Sequence, residues 1–92
     1  MATVQFTFFT PMFGIAPTFS GQPRGEAVTA GGATSLTVQG NEVVRAKATS
    51  GASYVRLGGA GATGATTGYH LSEGEVIEMH GSPGDAARQD DA

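Results

Sequence analysis

Apolar and polar residues alternate one by one over much of this chain, the period-2 signature of strands with one buried face. Ala2, Val4, Phe6 and Phe8 alternate with Thr3, Gln5 and Thr7. The aromatic and β-branched content suits a pleated surface. Val44, Ala46 and Ala48 alternate with Arg45, Lys47 and Thr49, and Tyr54-Val55-Arg56-Leu57 resumes the pattern after Ser50-Gly51-Ala52-Ser53. With Gly51-Ala52 as a two-residue loop, Ala48 falls opposite Val55 and Ala46 opposite Leu57, which predicts a hairpin. In that register Arg45, Lys47 and Arg56 share the outward face, with Lys47 directly opposite Arg56, a like-charge pair.

The same pattern sets the remaining elements. Glu26 to Ala30 and Thr34 to Val38 flank Gly31-Gly32-Ala33. A three-residue bulged loop there pairs Val28 with Leu36 and Ala30 with Thr34, a second predicted hairpin. Ser20 to Gly25 and Gln39-Gly40-Asn41 read as turns. Tyr69-His70-Leu71 begins a short strand, Ser72-Glu73-Gly74 turns, and Glu75 to Met79 is another strand whose inward face the pattern leaves open. No helix of ordinary length is predicted. The expected fold is all-β: one small sandwich of about six to eight short antiparallel strands. Its divisions are an N-terminal strand and apolar arm over 1–20, the sandwich over 21–84, and a polar, acidic, frayed tail over 85–92.

The arm breaks the alternation. Phe9, Met12, Phe13, Ile15 and Phe19 are apolar, but Pro11, Gly14 and Pro17 forbid a long helix or an uninterrupted central strand. Two readings stand: an irregular segment covering the end of its own core, or an extended arm laid on a neighbouring subunit.

Composition sharpens the need for such burial. A chain of 92 residues makes one domain, and it has no cysteine for a disulfide or a thiolate metal site. Oligomerisation or docking on a larger assembly is the expected support. Fifteen glycines and a charged fraction of 14% imply many turns and a surface of Ser, Thr, Ala and Gly. The net charge of -3 gives no drive toward nucleic acid or an anionic membrane, so neither is expected as a partner. No apolar run reaches spanning length, and Met1-Ala2-Thr3-Val4 does not read as a signal peptide.

Candidate chemistry is sparse. Gly59-Ala60-Gly61-Ala62-Thr63-Gly64 matches G-x-G-x-x-G after a strand. Gly68 and Gly74 then interrupt the helix that a dinucleotide site requires, so Gly58 to Gly68 is expected as a mobile surface loop. His70 and His80, with Glu75 and Glu78 between them, fit none of the usual metal-ligand spacings. No G-x-S-x-G elbow is present, and every Asp and Glu lies near a turn or on a polar strand face. No catalysis, cofactor or metal is expected. The three basic residues at 45, 47 and 56 are either a solvated face or a patch for carboxylates on a partner.

The run Val43-Val44-Arg45-Ala46, then Ala48 to Gly58, resembles small structural proteins of tailed bacteriophages. So do the Thr/Gly/Ala-rich stretch Thr63 to Gly68, Leu71-Ser72-Glu73-Gly74, the Glu-rich strand Glu75 to Glu78, and the Ser/Thr-rich segment Thr29 to Leu36. The likeness covers about residues 26 to 85. It implies a β-sandwich virion component, in the first place a decoration (cement) protein on the outside of the head, with the major capsid protein and copies of itself as partners. A trimer around a local three-fold is the expected arrangement. The interface residues would be Phe9, Met12, Phe13, Ile15, Phe19, Arg45, Lys47 and Arg56. A stand-alone glycan or host-surface binding module using Tyr54, Tyr69 and the glycine loop remains the alternative, as does a spike or fibre base protein.

Overall fold

A computed structural model of the chain describes residues 2–12, 18–29, 31–58 and 68–92, with the backbone alone for residues 11, 12 and 18–22. The described residues form β1 (Thr3–Met12), β2 (Thr18–Thr29), β3 (Ala33–Thr37), β4 (Val43–Ser50), β5 (Ser53–Gly58), β6 (Tyr69–Leu71), β7 (Val76–His80) and β8 (Ala86–Asp91). They make two four-stranded antiparallel sheets, ordered β2-β1-β4-β7 and β3-β8-β5-β6, as an all-β sandwich. Alternate residues drive this. Val4, Phe6 and Phe8 of β1 and Val44, Ala46 and Ala48 of β4 are buried against Val38, Val55, Leu71 and Ala87. In register, Phe6 faces Ala46 and Val4 faces Ala48, so small side chains make room for large ones.

Among the described strands, only β1–β2 and β5–β6 are both consecutive and paired; every other connection crosses between sheets. Counted from β2 with β1 taken last, the orders become 1-8-3-6 and 2-7-4-5, the eight-stranded jelly roll. That rotation requires the chain ends to meet, and they do. The Ala2 N–H donates to Asp91 Oδ1 at 3.0 Å, and the Ala92 N–H to the Ala52 carbonyl at 3.1 Å.

Both predicted hairpins are corrected. The strands around Gly51-Ala52 are β4 and β5, which lie in different sheets and face each other across the core. Period-2 alternation is satisfied equally by two strands paired edge to edge and by two strands arching over a core. Gly51 makes the arch at φ 69°, and a Cβ there would stand 3.2 Å from the Ala2 methyl. Likewise β2 and β3 occupy separate sheets, so Val28 and Leu36 are not ladder partners.

A side chain takes the place of that second ladder. The Glu26 carboxylate on edge strand β2 accepts from Ser35 N at 2.9 and 3.1 Å, from Ser35 Oγ at 3.0 Å and from Leu36 N at 3.2 Å, all on edge strand β3. The Ser35 N–H is the main cause holding Glu26 below the usual carboxylate range, against a smaller opposing effect of burial. A carboxyl lowered on folding stabilises fully above its unfolded value and loses that contribution as pH falls through its folded value. Denaturant midpoints are therefore expected to fall on acidification below the ordinary glutamate range, with a shallower fall in Glu26→Gln. A variant whose acid profile overlays that of the wild type would remove Glu26 from the account.

The ends of the chain also depart from expectation. Ser20 to Gly25 is strand rather than turn, and β1 continues through Pro11 to Met12. The pairs Thr10↔Ser20, Pro11↔Phe19 and Met12↔Thr18 follow an irregularity after Phe8. Strand β4 begins at Val43, opposite Phe9, so among the described strands the last part of β1 has β2 alone as its neighbour. Pro11 is tolerated there because one side of the strand needs no donor. Residues 85–92 are not a frayed tail: β8 lies between β3 and β5, with Ala87 and Gln89 buried. The division of the chain into arm, sandwich and tail gives way to one sandwich that uses both ends.

Candidate functional site

Where β1 and β2 leave the sandwich as a two-stranded ribbon, two consecutive phenylalanines are each gripped by an arginine. Phe8 points into the core, and the Arg24 guanidinium lies 5.5 Å from its ring centroid. Arg24 pairs with the largely buried Glu42 through Nη2 and Oε1, and the same Nη2 donates to the Thr37 carbonyl at 3.0 Å. Glu42 also accepts from Gln39 N at 2.8 Å, which fixes the turn between β3 and β4. Phe9 is 4% exposed, with the Arg45 guanidinium 5.1 Å from its ring centroid. Arg45 donates through Nε at 3.0 Å and Nη2 at 2.7 Å to Glu78 Oε2 on β7. Two cation–π stacks and two ion pairs thus brace the root of the ribbon.

The predicted interface set divides accordingly. Phe9 is packed on its own subunit. Met12 and Phe19 lie on the ribbon, and Phe13 and Ile15 fall outside the described residues. The three basic residues do not form one patch. Arg45 and Lys47 lie on the outer face of the first sheet, where Lys47 is exposed between Gln5 and Val76 in register. Arg56 lies on the outer face of the second sheet, opposite Arg88 rather than Lys47. The hairpin register that gathered them fails because β4 and β5 do not pair.

The other candidates separate as well. His70 is on β6 and His80 on β7, in opposite sheets. Among the described residues, no three His, Cys, Asp or Glu side chains gather as a metal site would need. Tyr54 meets His70 edge to face, with centroids 5.3 Å apart at 76°, and Tyr69 is half exposed at the sheet edge. The G-x-G-x-x-G stretch lies outside the described residues. The strands before and after it pair with each other antiparallel, whereas a dinucleotide site needs a parallel βαβ unit.

Two features escaped the sequence pattern. Arg24 and Glu42 lie 18 residues apart with no periodic relation, and Arg24 sat in a stretch that read as a turn. Gln89 is 1% exposed; its Oε1 accepts from Gly31 N at 3.1 Å, and its Nε2 donates to Ser53 Oγ and Asp91 Oδ1, each at 3.0 Å. The Gln89 amide, together with the Ala2 N–H, lowers the Asp91 carboxyl from its ordinary value. No known protein family, curated protein or solved structure matches the chain.

Proposed function

We propose that this chain is a structural component of a bacteriophage virion, a decoration protein that binds the outside of the head, with the major capsid protein as its partner. The observation that carries the reading is the ribbon. It leaves a braced root, keeps three residue pairs between β1 and β2 past the start of β4, and bears Met12, Phe13, Ile15 and Phe19 in its sequence. A two-stranded ribbon is marginal by itself, and apolar side chains at its end favour burial against another surface. Jelly rolls build viral capsid domains and lectins alike, so the fold does not choose between those roles. The resemblance over residues 26 to 85 favours the virion.

The test removes the ribbon and spares the sandwich. Joining Thr10 to Ser20 through an Asn-Gly turn deletes the apolar stretch and keeps Phe8, Phe9 and their arginines. Binding to capsids stripped of the protein, from the phage that encodes it, is expected to fall at least about a hundredfold, the loss of two well-buried anchors. The melting temperature should shift by only a few degrees. If the shortened protein saturates those capsids normally, the grip lies elsewhere. Absence of the protein from purified virions by mass spectrometry would end the reading altogether.

A further inference from the structure

The two sides of the sandwich are finished differently. Where β2 faces β3, the Glu26 carboxylate clasps the two edges together. The other side is bounded by edge strands β6 and β7, and among the described residues no such clasp joins them. The two large apolar side chains that stand exposed among the described residues are both here, Tyr69 on β6 at 52% and Val76 on β7 at 47%. Tyr69 is paired with the buried Val55, so it belongs to the inner face of its sheet and is left uncovered at the edge.

Strand β7 offers the longer edge. The Ala48 N–H donates to the Glu75 carbonyl at 3.1 Å, which sets the phase of the ladder between β4 and β7. Antiparallel ladders use alternate residues, so Ile77 and Met79 bond to β4, while the N–H and C=O groups of Val76, Glu78 and His80 point away from the sheet. The strand has no proline and no inward charge to guard such an edge; its inward side chains are Ile77 and Met79, packed against the core.

A second copy of the chain fits this edge poorly. The antiparallel self-pairing that uses all three outward residues sets Glu78 against its own counterpart on the two-fold axis, like charges directly opposite. A shift of two residues one way sets Val76 against Ser82, whose N–H is held by Asp85 Oδ2 at 3.0 Å. A shift the other way sets His80 against Gly74, whose N–H donates to the Ala48 carbonyl at 2.7 Å. Each register that avoids the clash forfeits a row of the ladder. The edge calls for a cation instead. Arg45 donates through Nε and Nη2 to Glu78 Oε2, and Oε1, on a side chain 48% exposed, accepts from no described residue. Glu73 and Glu75 are exposed in the turn that leads into the strand, while Lys47 stands one strand further in, beside Val76.

We propose that β7 is extended by an apolar–basic–apolar segment of a partner protein, added as a fifth strand with its Arg or Lys opposite Glu78 and its apolar neighbours beside Ile77 and Met79. Backbone bonds to the outward groups supply affinity, and the cation selects the partner.

The test uses the whole protein and a capped Thr-Val-Lys-Val-Thr peptide, with Thr-Val-Glu-Val-Thr as its acidic counterpart. In the protein alone, the amides of Val76, Glu78 and His80 are expected to exchange quickly with solvent, and the Lys peptide should slow them at least about tenfold at saturation. The Lys peptide should bind at least about fivefold more tightly than the Glu peptide, a preference that fades with salt and is lost in Glu78→Gln. Val76→Pro removes an outward N–H and no bond to β4, so it should weaken binding at least about fivefold with the melting temperature shifted by only a few degrees. Slow exchange of the three amides in the protein alone overturns the proposal. So does equal binding of the two peptides, binding of neither, undiminished binding by a folded Val76→Pro protein, or protection that rises with protein concentration alone, the mark of a second copy at this edge.

Discussion

Replacing Gln89 with leucine is expected to destabilise the sandwich by about 2–4 kcal/mol, although leucine is the more apolar residue at a fully buried site. The Gln89 amide joins β8 to the segment before β3 through Gly31 and to β5 through Ser53. Leucine removes the partner and leaves the buried Ser53 hydroxyl and the Gly31 N–H behind. The deserted, buried Ser53 hydroxyl costs about 1–3 kcal/mol, more than a made bond contributes, and the lost bonds to Asp91 and to the Gly31 N–H, which is open to water, add about a further 1 kcal/mol. For a domain of this size the melting temperature should fall by roughly 10–30 °C. Substituting Ser53→Ala together with Gln89→Leu should recover part of the loss, since removing both partners is cheaper than removing one. Urea unfolding of the two single variants and the double variant reads this directly. A Gln89→Leu protein as stable as the wild type would show that the amide is dispensable.

That glutamine also explains why the last strand was hidden in the sequence. Ala86-Ala87-Arg88-Gln89-Asp90-Asp91 offers only Ala87 and Gln89 to the core, and neither announces a buried face. Gln89 finds its partners 58 and 36 residues away, so local alternation carries no trace of them. The first strand was legible because Val4, Phe6 and Phe8 repeat a strong signal on one face. Strands β4 and β5 were legible as strands, but their pairing was not. Facing a common core from opposite sheets demands the same alternation as sharing one sheet. The basic patch inherited that ambiguity. Arg45 turned out to be held by Glu78, 33 residues on, and Arg56 to lie on the opposite face of the molecule. Pro11 read as a breaker, and it is tolerated because a ribbon makes fewer demands on its backbone than a central strand.

Deleting residues 2–9 is expected to abolish folding, in contrast to the shortened ribbon. Strand β1 lies between β2 and β4, so its loss takes from β2 its neighbour in the sheet. It also removes Val4, Phe6 and Phe8, each 0% exposed. At about 1.5–3 kcal/mol each, their burial is worth roughly 4.5–9 kcal/mol, which rivals the 5–15 kcal/mol net stability of a small domain. Far-UV circular dichroism and a thermal scan should show no cooperative transition. Because Ala2 is hydrogen-bonded to Asp91, the same strand can be returned at the other end of the chain. Residues 2–12 appended after Ala92 through a short glycine linker would enter the sheet in the same direction. That chain runs through the jelly roll in its unrotated strand order, and it should regain a cooperative melt. A cooperative transition in the chain lacking residues 2–9 would mean that β1 is not central to the core. A failure of the appended strand to restore folding would break the assignment of the rotated jelly roll.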